Sequence, residues 1–485
     1  MSSQENSTEN KKIAVEELLP VKTKVAFGSA AASSAALQGI FFGAITFFYN
    51  YKLGLSGSLV GIAWLLFAAW NAINDPLFGY LEDRTRSEKY GRRIPYIRFG
   101  APIYGALFIL SWFPIIDPSN EIGLFINLLI VLFLFDTIFT IIGLILYSLP
   151  AEMTLSSKGR ANLMVYGTII GSSGLLVSFL LPVLLLTGDK STGLNPLFRP
   201  IMIIVGIVCA VIMFISSFFL KENKFAQLEE PLAFIEGLKH TFQNKPFLNF
   251  EVSNFSFILA QTILTSGIFY YVEFVLGLGD LTSIIPLLLV FLMIFGFAIL
   301  FSHLVNRYGL KKVYVFGLTW TGFSFLLFFL LGWTFSTAII GLMFIGIGFS
   351  AILITVQAIM GDIIDYDEIK TDRRRETTYA GVNALITKPA LSIANWLFLL
   401  IIEAFGFTAG KSSQPISAQF GIMIAFCLIP AAFTLASSFL MRRFKLAGPD
   451  WIKQKKKLKK RHEKKEKEYL KHIQNKKQNQ LSGQA

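Results

Sequence analysis

Apolar runs of about 18 to 28 residues recur along this chain between short polar segments, and about 20 residues of helix cross roughly 30 Å of hydrocarbon. The runs predict spans at roughly 25–50, 57–82, 97–115, 121–148, 162–187 and 199–221. After a polar stretch the pattern resumes at roughly 246–276, 281–305, 311–333, 336–362, 378–406 and 416–441. The expected fold is an all-α polytopic membrane protein with twelve transmembrane helices in two pseudo-symmetric six-helix bundles. The expected divisions are a cytoplasmic segment 1–24, a first bundle 25–221, a central loop 222–245, a second bundle 246–441 and a basic cytoplasmic tail 442–485. In the central loop, Phe234, Leu238 and Phe242 lie beside several lysines. That spacing suits either a helix on the membrane surface or a solvated linker.

Composition excludes a water-soluble globule: 54 % of residues are apolar and 15 % charged, 48 are phenylalanine, and the mean hydropathy is +0.58. The net charge of +13 does not point to nucleic acid, because the basic residues cluster in short loops and one tail, where they set topology. Arg84, Arg86, Lys89, Arg92 and Arg93 follow the second span, Arg307, Lys311 and Lys312 the eighth, and Lys370 with Arg373 to Arg375 the tenth. Alternate loops are nearly bare, so both termini are expected in the cytoplasm and the protein in the cell membrane. The tail from Arg442 is expected to be solvated, with anionic lipid as its alternative partner. Cys209 and Cys427 fall inside apolar runs and read as packing residues. The polar first 24 residues lack a short apolar segment with a cleavage site, so the first span is expected to be retained. The two halves also echo each other: Tyr90-Gly91-Arg92-Arg93 after the second span resembles Arg307-Tyr308-Gly309 with Lys311-Lys312 after the eighth. Such duplication around a midplane site is a common transporter plan.

A charged side chain inside a span costs about 2.5–3.5 kcal/mol on insertion scales, so it is expected to face a bundle interior and to have a function. Asp75 lies about 10 Å deep in the second span and Lys388 about 15 Å deep in the eleventh, at 1.5 Å per residue. They belong to opposite halves, and pairing across a central cavity would offset both desolvation costs. Asn71 and Asn74 place carbonyl oxygens near Asp75. Either Asp75 takes a coupling ion, a proton or sodium, or the pair is a structural salt bridge without one. Asp136 sits mid-span in the fourth helix on a stripe with Thr140, Gly143 and Tyr147, placed for substrate contact or for a bond to a neighbouring span. Ser392, Asn395 and Trp396 continue a polar line outward from Lys388 and are candidate cavity lining. Gln38, Gln261 and Gln357 are candidate ligand contacts or helix-to-helix hydrogen bonds. Glu273 and Glu403 lie near outer span ends, where they reach the interface, and rank low. No His, Cys and carboxylate cluster has metal spacing, so neither an enzyme nor a resident cofactor is expected, and the sole metal candidate is sodium at Asp75.

Two longer motifs are recognisable. Asn74-Asp75-Pro76-x-x-Gly79-x-x-x-Asp83-Arg84-Thr85-Arg86-Ser87 followed by Gly91-Arg92-Arg93-x-Pro95, and Asp362-x-x-Asp365-Tyr366-x-Glu368 followed by Arg374-Arg375-Glu376 and Lys388, together resemble the glycoside-pentoside-hexuronide:cation symporters. These are the melibiose permease type of the major facilitator superfamily. The resemblance implies the major facilitator fold, a cation site at Asp75 and Asn74 faced by Lys388, and a cytoplasmic gate in the charged loops. That gate would use Asp83, Arg84, Arg92, Arg93, Asp362, Asp365, Arg374 and Arg375. The family's second cation-site acid is here Asn71, which weakens the case for sodium. The positions of its two sugar-holding aspartates and an arginine are here Ala35, Ile142 and Thr168, so melibiose itself is not expected. The function expected is a monomeric secondary active transporter that moves a small organic solute by alternating access, coupled to a proton or sodium. A lipid or lysolipid translocator of the same fold and a non-transporting membrane receptor are the alternatives.

Overall fold

The computed structural model describes residues 19–84, 93–117, 119–154, 157–188, 193–221, 241–371, 375–458 and 460–461. Eleven helices among the described residues are long and apolar enough to cross a membrane, and a shorter apolar helix, Ile94–Leu110, completes a set of twelve. They run in chain order as α1 (Val21–Lys52), α2 (Gly57–Arg84), α3 (Ile94–Leu110), α4 (Glu121–Met153), α5 (Ser157–Leu186) and α6 (Phe198–Ser216). The second six are α7 (Lys245–Leu276), α8 (Ile285–Tyr308), α9 (Leu310–Leu331), α10 (Phe335–Thr371), α11 (Glu376–Ala404) and α12 (Ile416–Met441). Both α1 and α12 have their chain-terminal ends on the face that carries the basic loops, here called the basic face.

Several boundaries differ from the sequence reading, among them the end of α10 at Thr371 and the end of α6 at Ser216. Helix α1 starts at Val21, directly after Pro20, because proline is barred from a helix interior but tolerated at its start. Helix α3 begins at Ile94 with Pro95 in its first turn and ends at Leu110, several residues before the apolar run does. Most of the central loop lies outside the described residues.

In lipid there is little hydrophobic drive between helices, so close packing of small residues holds them together. A Cβ on Gly174 of α5 would lie 2.0 Å from the Ala32 carbonyl oxygen of α1. Gly105 of α3 meets the backbone of Gly206 on α6, and Gly348 of α10 abuts Thr321 of α9. Each approach needs the absence of a side chain.

The internal duplication extends beyond the basic loops. Helices α1 and α7, the first of each half, both end in a π turn, Phe48–Lys52 and Tyr271–Leu276. A Leu-Gly-Leu triplet follows the first turn and starts on the last residue of the second, with the glycine left-handed in both, Gly54 at φ 78° and Gly277 at φ 60°. The same six-residue bond closes both turns, Leu55 N–H to Tyr49 O and Leu278 N–H to Val272 O, each 3.0 Å.

The tail differs from the solvated expectation in its first part. Residues 449–458 are helical, and Trp451 and Leu458 are buried. The Trp451 ring lies 6.1 Å from that of Tyr366 on α10. The run is basic, but its apolar residues fall on one side and find a surface at the end of α10.

Candidate functional site

Helices α2, α4 and α11 meet at mid-depth around one carboxylate. Asp136 of α4 is 1 % exposed. Asn74 Nδ2 donates to its Oδ2 at 2.6 Å and lies 3.3 Å from Thr140 Oγ1. With the Asn71 amide turned so that both its atoms are satisfied, its nitrogen donates to the two Asp136 oxygens at 2.6 and 3.2 Å. From the other half, Lys388 Nζ of α11 stands 3.8 Å from Asp136 Oδ1 and donates to Thr140 Oγ1 at 3.1 Å. The ammonium also lies 5.8 Å from the Phe139 ring. Asp136 and Thr140 are one turn apart on α4, so one face serves both contacts.

The sequence reading centred this site on Asp75. The backbone places Asp75 next to Asn74 on α2, and its side chain lies outside the described residues. Asn71 and Asn74 were expected to offer carbonyl oxygens to a cation; among the described residues their nitrogens point instead at Asp136. The Asn74 Oδ1 atom remains buried with no hydrogen-bond partner among the described residues, as does Ser392 Oγ one turn outward from Lys388. Buried polar atoms are nearly always bonded, so these two oxygens are available to an ion, a water or a solute hydroxyl.

From this level to the face opposite the basic loops, the two halves are sealed together. Thr46 of α1 donates to Asn395 Oδ1 of α11 at 2.8 Å and accepts from Trp64 Nε1 of α2 at 2.9 Å. Tyr270 of α7 donates to Asn50 of α1 at 2.9 Å. Trp396 packs over Gly61, and Phe47 lies 4.9 Å from the ring of Tyr270. Asn395, expected to line a cavity, is therefore inside the seal. At the rim, Glu403 of α11 accepts from Gly57 N–H and from Ser58 Oγ at 2.6 Å. Glu273 of α7 accepts from Gly188 N–H at 2.6 Å. These two acids ranked low from sequence because an outer span end can always reach water, yet both cross to the other half.

Toward the basic face the same stripes open. On α4 the line from Asp136 and Thr140 continues to Gly143, where a Cβ would meet only the ring of Phe139 on its own helix, and to Tyr147, 65 % exposed. On α11, Gly381 shares a face with Lys388, and a Cβ there would meet nothing within 4 Å. Among the described residues the halves thus join on one side of the polar cluster and part on the other.

The remaining candidates scatter. Gln38 and Gln261 are half-buried, whereas Thr168 and Gln357 are exposed. Of the gate residues, Arg92 and Arg374 and the side chains of Asp83 and Arg84 lie outside the described residues. Arg93 donates to Ser148 within its own half. Arg375 pairs with Asp367 at 3.2 Å, also within its half. Asp362 receives Trp451 Nε1 at 2.8 Å and Lys455 from the tail helix, a partner absent from the sequence reading, and Asp365 is half-buried. The sequence reading also missed Glu251 of α7, which is 1 % exposed; the nearby Lys245 made that end look interfacial, although Glu251 and Asn254 share a helix face.

The chain matches the family model described as MFS/sugar transport protein over residues 26–448. It is similar to the inner membrane symporter YicJ of Escherichia coli, 24 % identical over 437 residues that cover 88 % of this chain and 92 % of that one. It is also similar to the sodium-dependent lysophosphatidylcholine symporter 1 of Xenopus tropicalis, 21 % identical over 409 residues covering 76 % and 77 %. The crystal structure of a D-xylose-proton symporter superposes with a TM-score of 0.63 at 14 % identity, covering 87 % of this chain and 96 % of that one.

Proposed function

The chain belongs to the MFS/sugar transport protein family and is a multi-pass, cation-coupled secondary transporter rather than an enzyme, and from that premise we propose that the cluster around Asp136 and Lys388 is its coupling site. The carrying observation is the position of Asp136: one carboxylate held by two amides of its own half and approached by an ammonium of the other, at the level where the seal ends. Asp136 is the acid that Lys388 approaches in this cluster, and we take Asp75, next to Asn74 in the chain, as the second acid of the site. A proton or a sodium ion bound to the carboxylate competes with Lys388 for it, loosens the tie between the halves, and lets them rock about a solute held near midplane. Asn74 Oδ1 and Ser392 Oγ supply oxygens for the ion or for a solute hydroxyl.

The solute is a small glycoside, pentoside, hexuronide or related compound. Ala35 and Ile142 supply no charge where the resembling permeases hold a galactoside, which favours a less polar molecule than melibiose. In this reading the protein works as a monomer in the cell membrane with both termini in the cytoplasm, which makes the sealed face the outer one.

The test is uptake into liposomes containing the purified protein, with labelled glycosides and a labelled lysolipid under imposed sodium or pH gradients. Gradient-driven accumulation of a glycoside is expected, and Asp75→Asn and Lys388→Ala each abolish it while the protein stays folded. Normal accumulation by both variants refutes the coupling site. Accumulation of the lysolipid alone moves the assignment to the translocator reading, which the similarity to the lysophosphatidylcholine symporter supports.

A further inference from the structure

Glu251 has no part in the coupling site, yet it is a carboxyl buried in a membrane helix about 9 Å from the start of α7. Among the described residues it has no ion-pair partner. Its neighbours are amides: one terminal atom of the Asn383 side chain on α11 lies 3.1 Å from both Glu251 oxygens and 2.8 Å from Asn254 Nδ2. The Asn383 amide is thus wedged between an acid and a donor, and its two orientations suit two different states of the acid. With its oxygen inward, Asn383 accepts from Asn254 and needs a proton on Glu251 as its second donor. With its nitrogen inward, it donates to an ionised Glu251, and the Asn254 amide must turn with it so that an oxygen instead of Nδ2 meets that nitrogen.

The other groups on the packed elements are already engaged. Tyr314 of α9 donates to Ser253 at 3.3 Å. On α11, Tyr379 meets Asn244 at 2.7 Å toward the basic face, and Lys388 is held by Asp136 and Thr140. On α10, Asp367 is paired with Arg375. On α12, Ser437 donates to Ser256 at 2.7 Å. An ionised carboxylate buried without a counter-charge is strongly disfavoured, and a bound proton removes that penalty.

We propose that Glu251 is a second proton-binding site, and that Asn383 reports its occupancy by rotating its amide. The step is a plain protonation: a proton from water joins one Glu251 oxygen, and the new O–H donates to Asn383 Oδ1. Loss of the proton reverses the amide. Asn383 lies on the same helix as Lys388, with the Thr387 hydroxyl bonded to its carbonyl at 2.7 Å. The proton on Glu251 therefore sets the α7–α11 contact just on the basic-face side of the coupling lysine. This site goes beyond the proposed function and does not depend on it.

The experiment is infrared difference spectroscopy of the full-length purified protein in lipid, stepped from mildly acid to alkaline pH. Expected is a protonated-carboxyl band that disappears as pH rises, together with a change in a side-chain amide band. Glu251→Gln removes the Glu251 share of the carboxyl band and the amide change, Asn383→Leu keeps that share and loses the amide change, and Lys388→Ala keeps both of these even where it alters the coupling-site share. The melting temperature of the wild type should fall more steeply with rising pH than that of Glu251→Gln, since only the wild type loses the contribution of this proton. Glu251→Gln keeps a neutral amide against Asn383 and is expected to fold. A wild-type spectrum without a protonated carboxyl, or an unchanged difference spectrum in Glu251→Gln, overturns the proposal.

Discussion

Replacing Glu403 with glutamine tests whether the two halves are latched on the face opposite the basic loops. In the sealed state the carboxylate accepts from Gly57 N–H, at the positive N-terminal end of α2, and from the Ser58 hydroxyl at 2.6 Å. Hydrogen bonds to a charged partner contribute about 1.5–3 kcal/mol each. Ser58 is exposed, so water replaces much of its bond when the latch opens, and glutamine keeps one acceptor oxygen. The net loss from the sealed state is therefore about 1.5 kcal/mol, a roughly tenfold shift in the ratio of sealed to open molecules. Spin labels at Leu197 and Ser413, on loops of opposite halves at this face, report the separation by pulsed paramagnetic resonance. The longer-distance population should grow about tenfold over wild type, and further in Glu403→Gln/Glu273→Gln, because Glu273 makes the equivalent bond to Gly188. Unchanged distance distributions in both variants refute the latch.

Asp136→Asn should abolish gradient-driven uptake and leave the protein folded, because asparagine keeps an oxygen for the Asn74 and Asn71 amides but removes the partner of Lys388; uptake at wild-type level would count against the coupling site. Gly174→Ala places a Cβ 2.0 Å from the Ala32 carbonyl oxygen and should cost about 1–3 kcal/mol or more through overpacking. Its melting temperature should drop, whereas Gly143→Ala, on an open face, should melt like wild type. Trp451→Phe removes the bond to Asp362 at 2.8 Å, so limited trypsin digestion should cut the lysine-rich tail helix faster than in wild type, and an equal rate would show that the docked tail does not depend on that bond.

Much of the architecture could be read from the chain, because every backbone group in lipid must be bonded within its own helix, and long apolar runs leave no other choice. The membrane-length helices follow from that constraint, and the few charges inside the apolar runs, Asp75, Asp136 and Lys388, stand out against it. The motif around Asp75 and the one from Asp362 to Lys388 supplied the transporter class. Element ends were less legible at Ile94 and Leu110, where prolines and loop geometry outweigh hydropathy.

What spacing along one helix cannot state is which face of a second helix it meets. Thr140 and Asp136 share a stripe on α4 by periodicity, but only the packing of α2, α4 and α11 brings Asn74, Asp136 and Lys388 to one point. Asn395 reads as cavity lining on its own helix and becomes part of the seal once Thr46 of α1 lies 2.8 Å away. Glu403 and Glu273 read as interfacial, and Trp451 as part of a solvated tail, until the opposite half or α10 supplies a partner. Sequence fixes what each helix must hide from lipid, since that is a local free energy; the tertiary structure alone decides what each polar group faces, since that depends on side chains hundreds of residues apart.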